Sequence, residues 1–148
     1  MLVRVQRAVR KNCFQLLPWV SKPDRIDLRI GWGVSAKKGI PMSFDASEPM
    51  CRWSIFADDR IYGMFGCTPN GETWLFRSFD FDQLAIRFIR HAKPFVGYML
   101  TRHPHLAGWA NASNTKLLRW LQWAGFSVTV SKSGYAKYEI DVMSGGIK

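Results

Sequence analysis

The sequence predicts an α/β domain: a mixed central sheet of about six to seven strands with helices on both faces, in a single unit over residues 1–148. Three observations carry this. First, CRWSIFA, IYGMFGCT and TWLFRSF read as three antiparallel strands from Cys51 to Phe79. Asp58-Asp59 and Asn70-Gly71 separate them with residues that tolerate tight-turn backbone. Second, Leu84, Phe88, Ala92, Phe95 and Met99 recur at helical spacing, with Gln83, Arg87, Arg90 and Lys93 facing outward, which predicts one long helix from about Asp82 to Leu100. Third, Leu106 to Phe126 reads as strand, polar turn, helix and Gly-Phe stop, with SVTV following as a β-branched strand. A long helix between a meander and a later strand implies a crossover to a parallel neighbour, hence a mixed sheet.

The remaining elements follow in order. LVRVQRA alternates apolar and basic residues and predicts a first strand. RKNCFQLLPWV predicts a short helix limited by Pro18. SKPDRIDLRIGWG admits two readings: a helix with Pro23 in its first turn, or a strand from the period-two Ile26, Leu28 and Ile30. VSAKKGIPMSFDASEP, rich in Gly, Pro and Ser, predicts a loop. Gly63 and Gly66 inside the middle strand mark a bulge or a close backbone approach. Pro94 either kinks the long helix or ends it early. Asn114 stands at an N-cap position, where its side-chain oxygen would accept from the first turn. Leu117, Leu118, Leu121 and Ala124 make the apolar face of that helix, and Gly125 is its left-handed stop. Tyr135 to Met143 closes as the last strand after a Ser-Gly turn.

The net charge is +10, and nine of the 21 Lys and Arg lie in residues 1–38 against Asp24 and Asp27 alone. Such a basic region draws polyanions and acidic protein surfaces without sequence preference. Arg4, Arg7, Arg10 and Lys11 are its leading candidates for contact with a protein partner or with DNA. No recognised nucleic-acid motif accompanies them, which argues against sequence-specific reading. No apolar run approaches the roughly 20 residues that span a bilayer. MLVRVQRAVRKN has no continuous apolar stretch, so neither a cleaved signal nor secretion is expected. Cys13, Cys51 and Cys67 match no metal or redox spacing along the chain and read as free thiols in a reducing compartment.

The order of elements, and NTKLLRWLQWAGF with its Asn followed eleven residues later by Gly-Phe, resembles the GNAT superfamily of N-acetyltransferases. More narrowly, residues 50–142 are similar to the small GNAT-like proteins of short-tailed bacteriophages, which act as internal virion or virion-assembly proteins. That resemblance implies a virion or host-cytoplasm setting during infection, partners among virion and other phage structural proteins, and packaged DNA as a target of the basic region. For an active member it implies acetyl-CoA as cofactor, with Arg77 and Asn114 in its binding site.

The departures from the family pattern bear on activity. Active members carry Gln/Arg-x-x-Gly-x-Gly/Ala before the long helix, where bare backbone N–H groups approach the pyrophosphate. Here the window is Arg77-Ser78-Phe79-Asp80-Phe81-Asp82, with acids in place of the glycines. Such carboxylates cap a helix and repel a pyrophosphate. Active members also carry a Tyr seven residues after the Asn as proton donor, and here that position is Leu121. The expectation is a retained fold without catalytic residues or cofactor, acting through binding; the alternative is an acetyl-CoA-dependent protein N-acetyltransferase.

Other chemistry is sparse. His103-Pro104-His105 needs a third ligand for a metal, with His91 only distantly available, so no metal site is expected. Asp58-Asp59 reads as solvated turn acids, and Glu72 would be a base only in an active enzyme. Trp120 and Trp123 cannot both be buried on one face of so short a helix with its aliphatic residues, so either the helix is covered on two sides or one of the two is exposed. An exposed Trp beside Arg119 would be an interface anchor.

Overall fold

The computed structural model describes residues 2–142, which form seven strands and five α-helices. β1 (Val3–Arg7) is followed by α1 (Lys11–Leu16), a 3-10 turn (Leu17–Trp19), α2 (Lys22–Trp32) and α3 (Ala36–Ala46). The meander β2 (Arg52–Ala57), β3 (Arg60–Cys67) and β4 (Thr73–Arg77) leads through a second 3-10 turn (Phe81–Gln83) into α4 (Ala85–Arg102). β5 (His105–Asn111), α5 (Thr115–Trp123), β6 (Ser127–Val130) and β7 (Tyr135–Asp141) complete the chain. Met143, the end of the expected closing strand, lies outside the described residues.

The expected single mixed sheet is two antiparallel sheets, β1-β2-β3-β4 and β5-β7-β6. They touch through one parallel bridge, Glu72 to Ala107, with Ala107 N donating to Gly71 O at 3.0 Å. Beyond that bridge β4 and β5 part, leaving a gap between them. Helices do cover both faces. α4 and α5 pack Phe88, Met99, Leu117 and Leu121 on one core, and α1 to α3 pack Leu16, Leu28, Ile40 and Phe44 on another.

The meander forms as its turn residues predict, with Asp58 and Gly71 at positive φ of 53° and 80°. The register shifts between Ile55 and Phe56, opposite Gly63 and Ile61, so β3 carries the extra residue beside one of the flagged glycines. SKPDRIDLRIGW is a helix: Ser21 Oγ accepts from Asp24 N, and Gly33 at φ 68° ends it. The helical period turns Leu28 inward and leaves Ile26 and Ile30 exposed, so the strand alternative does not hold.

Two expectations fail here. Residues 36–46 form α3 and not a loop, although they contain Gly39 and Pro41. A Cβ on Gly39 would press on Leu28, so the glycine sets the close approach of α2 and α3, and their packing overrides weak local propensity. The long helix begins at Ala85 rather than about Asp82 and continues through Pro94 to Arg102. Pro94 sits on its exposed side, where water can satisfy the carbonyl that loses its donor.

Candidate functional site

The gap between β4 and β5 is closed by side chains of α2. Asp24 and Asp27 are one helical turn apart on a helix that starts at Ser21, so both point into the gap. Asp24 accepts from the Arg77 backbone N–H at 2.6 Å and from its guanidinium Nη2 at 3.1 Å. The same Nη2 donates to Asn114 Oδ1 at 3.1 Å. Asn114 Nδ2 donates to Asp27 Oδ2 at 3.4 Å, and Asp27 Oδ1 accepts from Asn111 N at 3.2 Å. Burial holds the Asp27 carboxyl above its ordinary range, opposed by the bonds from Asn114 and the Asn111 amide.

Arg77 and Asn114, the two residues the resemblance assigns to a cofactor, are therefore brought together and buried, but bound to each other and to two acids. Asn114 does stand at the N-cap of α5, yet its side chain caps nothing. Its oxygen is directed at a guanidinium, a stronger donor than a first-turn amide. The stop is as expected: Gly125 is at φ 108°, and Phe126 N donates to Leu121 O at 2.9 Å.

The connection from β4 to α4 is the window where a pyrophosphate would need bare amides. Four of its six amides already donate within the chain: Arg77 N to Asp24, Ser78 N to Tyr62 O at 2.8 Å, Phe79 N to Trp19 O at 2.7 Å and Phe81 N to Ser78 O at 3.1 Å. Asp80 and Asp82 do not cap α4, which has no side-chain cap. Asp80 takes a two-pronged ion pair from Arg60 at 2.6 and 2.7 Å, which holds its carboxyl below the usual aspartate range. Arg60 also lies over the rings of Trp19 and Tyr62 at 4.0 and 4.1 Å. Asp82, in the 3-10 turn before α4, pairs with Lys116 of α5 at 2.7 Å and ties that turn to the start of α5.

Aromatic rings fill the space behind that turn. Trp120 stacks on Phe88 at 5.4 Å and lies 4.8 Å from Phe81, itself fully buried. A cavity of only about 60 Å³ remains between α4, α5 and β4. On the opposite side of the gap lies a cleft of about 1030 Å³, whose lining includes Asp27, Trp32, Glu72, Trp74 and Trp109. Tyr138 lines both spaces, its buried hydroxyl donating to Thr73 O at 3.2 Å. Burial pushes its phenol up to about 12. Gly108 permits this, because a Cβ there would collide with the ring.

The expected interaction residues are scattered. Arg4 lies over Phe56 at 5.2 Å, Arg7 over Trp53 at 5.8 Å, and Arg10 pairs with Asp45 at 3.3 Å; Lys11 is exposed. Arg119 is exposed, and Trp123, four residues on, is 65% exposed. Trp120 is corrected: it is half-buried in the aromatic stack, not a surface anchor.

Sequence reasoning missed Asp24, Asp27 and Arg60. An i, i+3 pair of acids just inside a Ser-capped helix was the available signal for the first two; Arg60 carried none. It also missed that Cys51, Cys67 and His103, remote along the chain, meet in space with ligand atoms within 4.8 Å of one another. His103 and His105 do not act as a pair: His103 bonds Glu48 and His105 lines the large cleft.

No family model and no curated protein matches this chain in sequence. Solved structures do match. PH1933 from Pyrococcus horikoshii OT3 superposes with a TM-score of 0.68 at 9% identity, covering 95% of this chain and 98% of that one. The GNAT domain of S. lividans PAT gives 0.64 at 15%, covering 95% and 90%. The aminoglycoside acetyltransferase AAC(6')-Ib, solved in complex with coenzyme A, gives 0.62 at 10%, covering 97% and 96%. Among the described residues, no helix is long and apolar enough to cross a membrane. The chain has the GNAT acetyltransferase fold.

Proposed function

We propose that this chain is a GNAT-fold protein that acts by binding a macromolecular partner rather than by transferring an acetyl group. One observation carries the reading: the amides of Arg77, Ser78, Phe79 and Phe81 all donate within the chain. A pyrophosphate placed there would have to displace those bonds and approach Asp80 and Asp82 as well, against like charge. A thioester held at that turn reaches an acceptor in the large cleft only through the gap between β4 and β5. That gap is crossed by Tyr138 and by the network of Asp24, Arg77, Asn114 and Asp27. The residues present do not fit acetyl-CoA.

The partner in this reading meets the basic N-terminal region and the exposed Arg119 and Trp123. The phage resemblance makes it a virion or assembly protein, with packaged DNA as a second target of Arg4, Arg7, Arg10 and Lys11. A mass-spectrometric inventory of purified particles tests that setting, and absence of the chain from them removes its virion-associated form.

A second reading, an acetyl-CoA-dependent N-acetyltransferase acting on a host or phage protein, is favoured by the comparisons. AAC(6')-Ib shares the fold and was solved with coenzyme A. In that case the large cleft would take the acceptor, with Glu72 beside it as a base. Calorimetric titration with acetyl-CoA separates the two. Binding reading: no heat up to millimolar cofactor. Enzyme reading: micromolar-range affinity that weakens when Asn114 is changed to Ala.

A further inference from the structure

The lower end of the first sheet holds a cluster that neither reading uses. Cys51 precedes β2 and Cys67 ends β3, and the strand register that pairs Arg52 with Gly66 sets the two cysteines opposite each other. Their thiols lie within 4.8 Å of each other and are completely buried. His103 follows α4, with its N–H on Met99 O at 2.9 Å, and its ring comes to the same place. Glu48 stands at the edge: its Oε2 lies 2.7 Å from His103 Nε2, and its other oxygen is bonded by Arg102.

The backbone holds this arrangement firmly. Cys67 N donates to Cys51 O at 2.9 Å, Cys51 N to Glu48 O at 2.8 Å and Glu48 N to Cys67 O at 3.0 Å. A Cβ on Gly66 would run into the Cys51 carbonyl, so the strands approach here more closely than side chains usually allow.

We propose that Cys51, Cys67 and His103 form a binding site for a thiophilic divalent cation, zinc in the first instance, with Glu48 orienting the histidine. Two thiolates and an imidazole are a soft donor set that suits zinc, leaving a fourth position for water. Tetrahedral zinc with bonds of about 2.3 Å to sulfur and 2.0 Å to nitrogen needs ligand atoms roughly 3.5–3.8 Å apart. The three atoms lie within 4.8 Å of one another, so side-chain rotations that shift them by about 1 Å bring them to that spacing. A carboxylate on the far nitrogen of a histidine ligand fixes its tautomer and ring angle. Glu48 on Nε2 is that carboxylate, and the ion binds at Nδ1. The two thiolates balance the charge of the ion inside the core. The His103 and Glu48 side chains are 15% and 16% exposed, which gives the ion its way in. Once bound, it would tie β2 and β3 to the end of α4.

The test uses the full-length chain stripped with chelator and exchanged into zinc or cobalt. Native mass spectrometry should show one zinc per chain. Cobalt should give intense visible bands of a tetrahedral site and a sulfur-to-cobalt charge-transfer band in the near ultraviolet. His103→Ala should weaken zinc affinity at least tenfold, and Glu48→Gln about tenfold. Both sit at the rim and leave the buried strands intact, which circular dichroism verifies. Cys13→Ser, in the other core, should bind like the unaltered chain. Failure to retain zinc at equimolar metal overturns the proposal. So does cobalt without thiolate bands, or undiminished zinc binding by His103→Ala.

Discussion

The ring of Tyr138 on β7 occupies the space beside Gly108 on β5 and reaches past it to Thr73 on β4. This contact joins the two sheets where their backbones have already parted. Gly108→Ala should force the ring out, costing roughly 1–3 kcal/mol as an overpacking change. Chemical denaturation measures it. Tyr138→Ala should cost stability alone, but the two changes together should cost less than their sum, because removing the ring removes the collision. Strict additivity would mean that Gly108 matters for some other reason.

Asp24 is the counter-ion of a guanidinium that is only 8% exposed. Asp24→Ala would leave the buried Arg77 charge without its counter-ion, bonded only to Asn114, and its backbone N–H without an acceptor, a change that typically costs about 3–5 kcal/mol. Replacing both residues by apolar ones of similar size should recover much of the loss. Urea midpoints of the single and double variants check this, and an unaffected Asp24→Ala midpoint would remove the network from any structural role.

Much of this fold is legible in the sequence because the signal is local. Short runs rich in aromatic and β-branched residues and two turn dipeptides specify β2 to β4, and Gly125 after Leu121 specifies the end of α5. α3 is hidden because its helix is stabilised by contact with α2 through Gly39, a residue that read locally as a breaker. The site is hidden for a related reason. Nothing near Asn114 in sequence shows that Arg77 will outcompete the first-turn amides for its oxygen, since Arg77 is 37 residues away. The acids at 80 and 82 were visible, but their partners Arg60 and Lys116 come from other elements.

The Asp80–Arg60 pair predicts a sign for the acid limb of stability. Its hydrogen bonds to Arg60, chiefly, lower the Asp80 carboxyl in the folded state. The unfolded chain then binds more protons as pH falls, so the stabilisation is complete above the unfolded aspartate range and is lost as pH drops through the lower folded value. Asp80→Asn should therefore show a shallower loss of unfolding free energy between about pH 5 and pH 2 than the unaltered chain. Parallel curves would show that the pair contributes no pH-dependent stability.

Trp120 and Trp123 sit three residues apart on α5 and should respond in opposite ways to truncation. Trp120 is packed against Phe88 and Phe81, so Trp120→Ala removes buried surface from the space between α4 and α5 and should cost about 3–5 kcal/mol. Trp123 is 65% exposed, and Trp123→Ala should change stability by no more than about 0.5 kcal/mol. If the chain works by binding, only the second variant is a clean probe of function: it should fold normally and lose affinity for its partner. Thermal denaturation of the two variants establishes the stability difference before any partner is in hand. Equal losses would mean that Trp123 is needed for the fold, and the exposed end of α5 would no longer stand out as a contact surface.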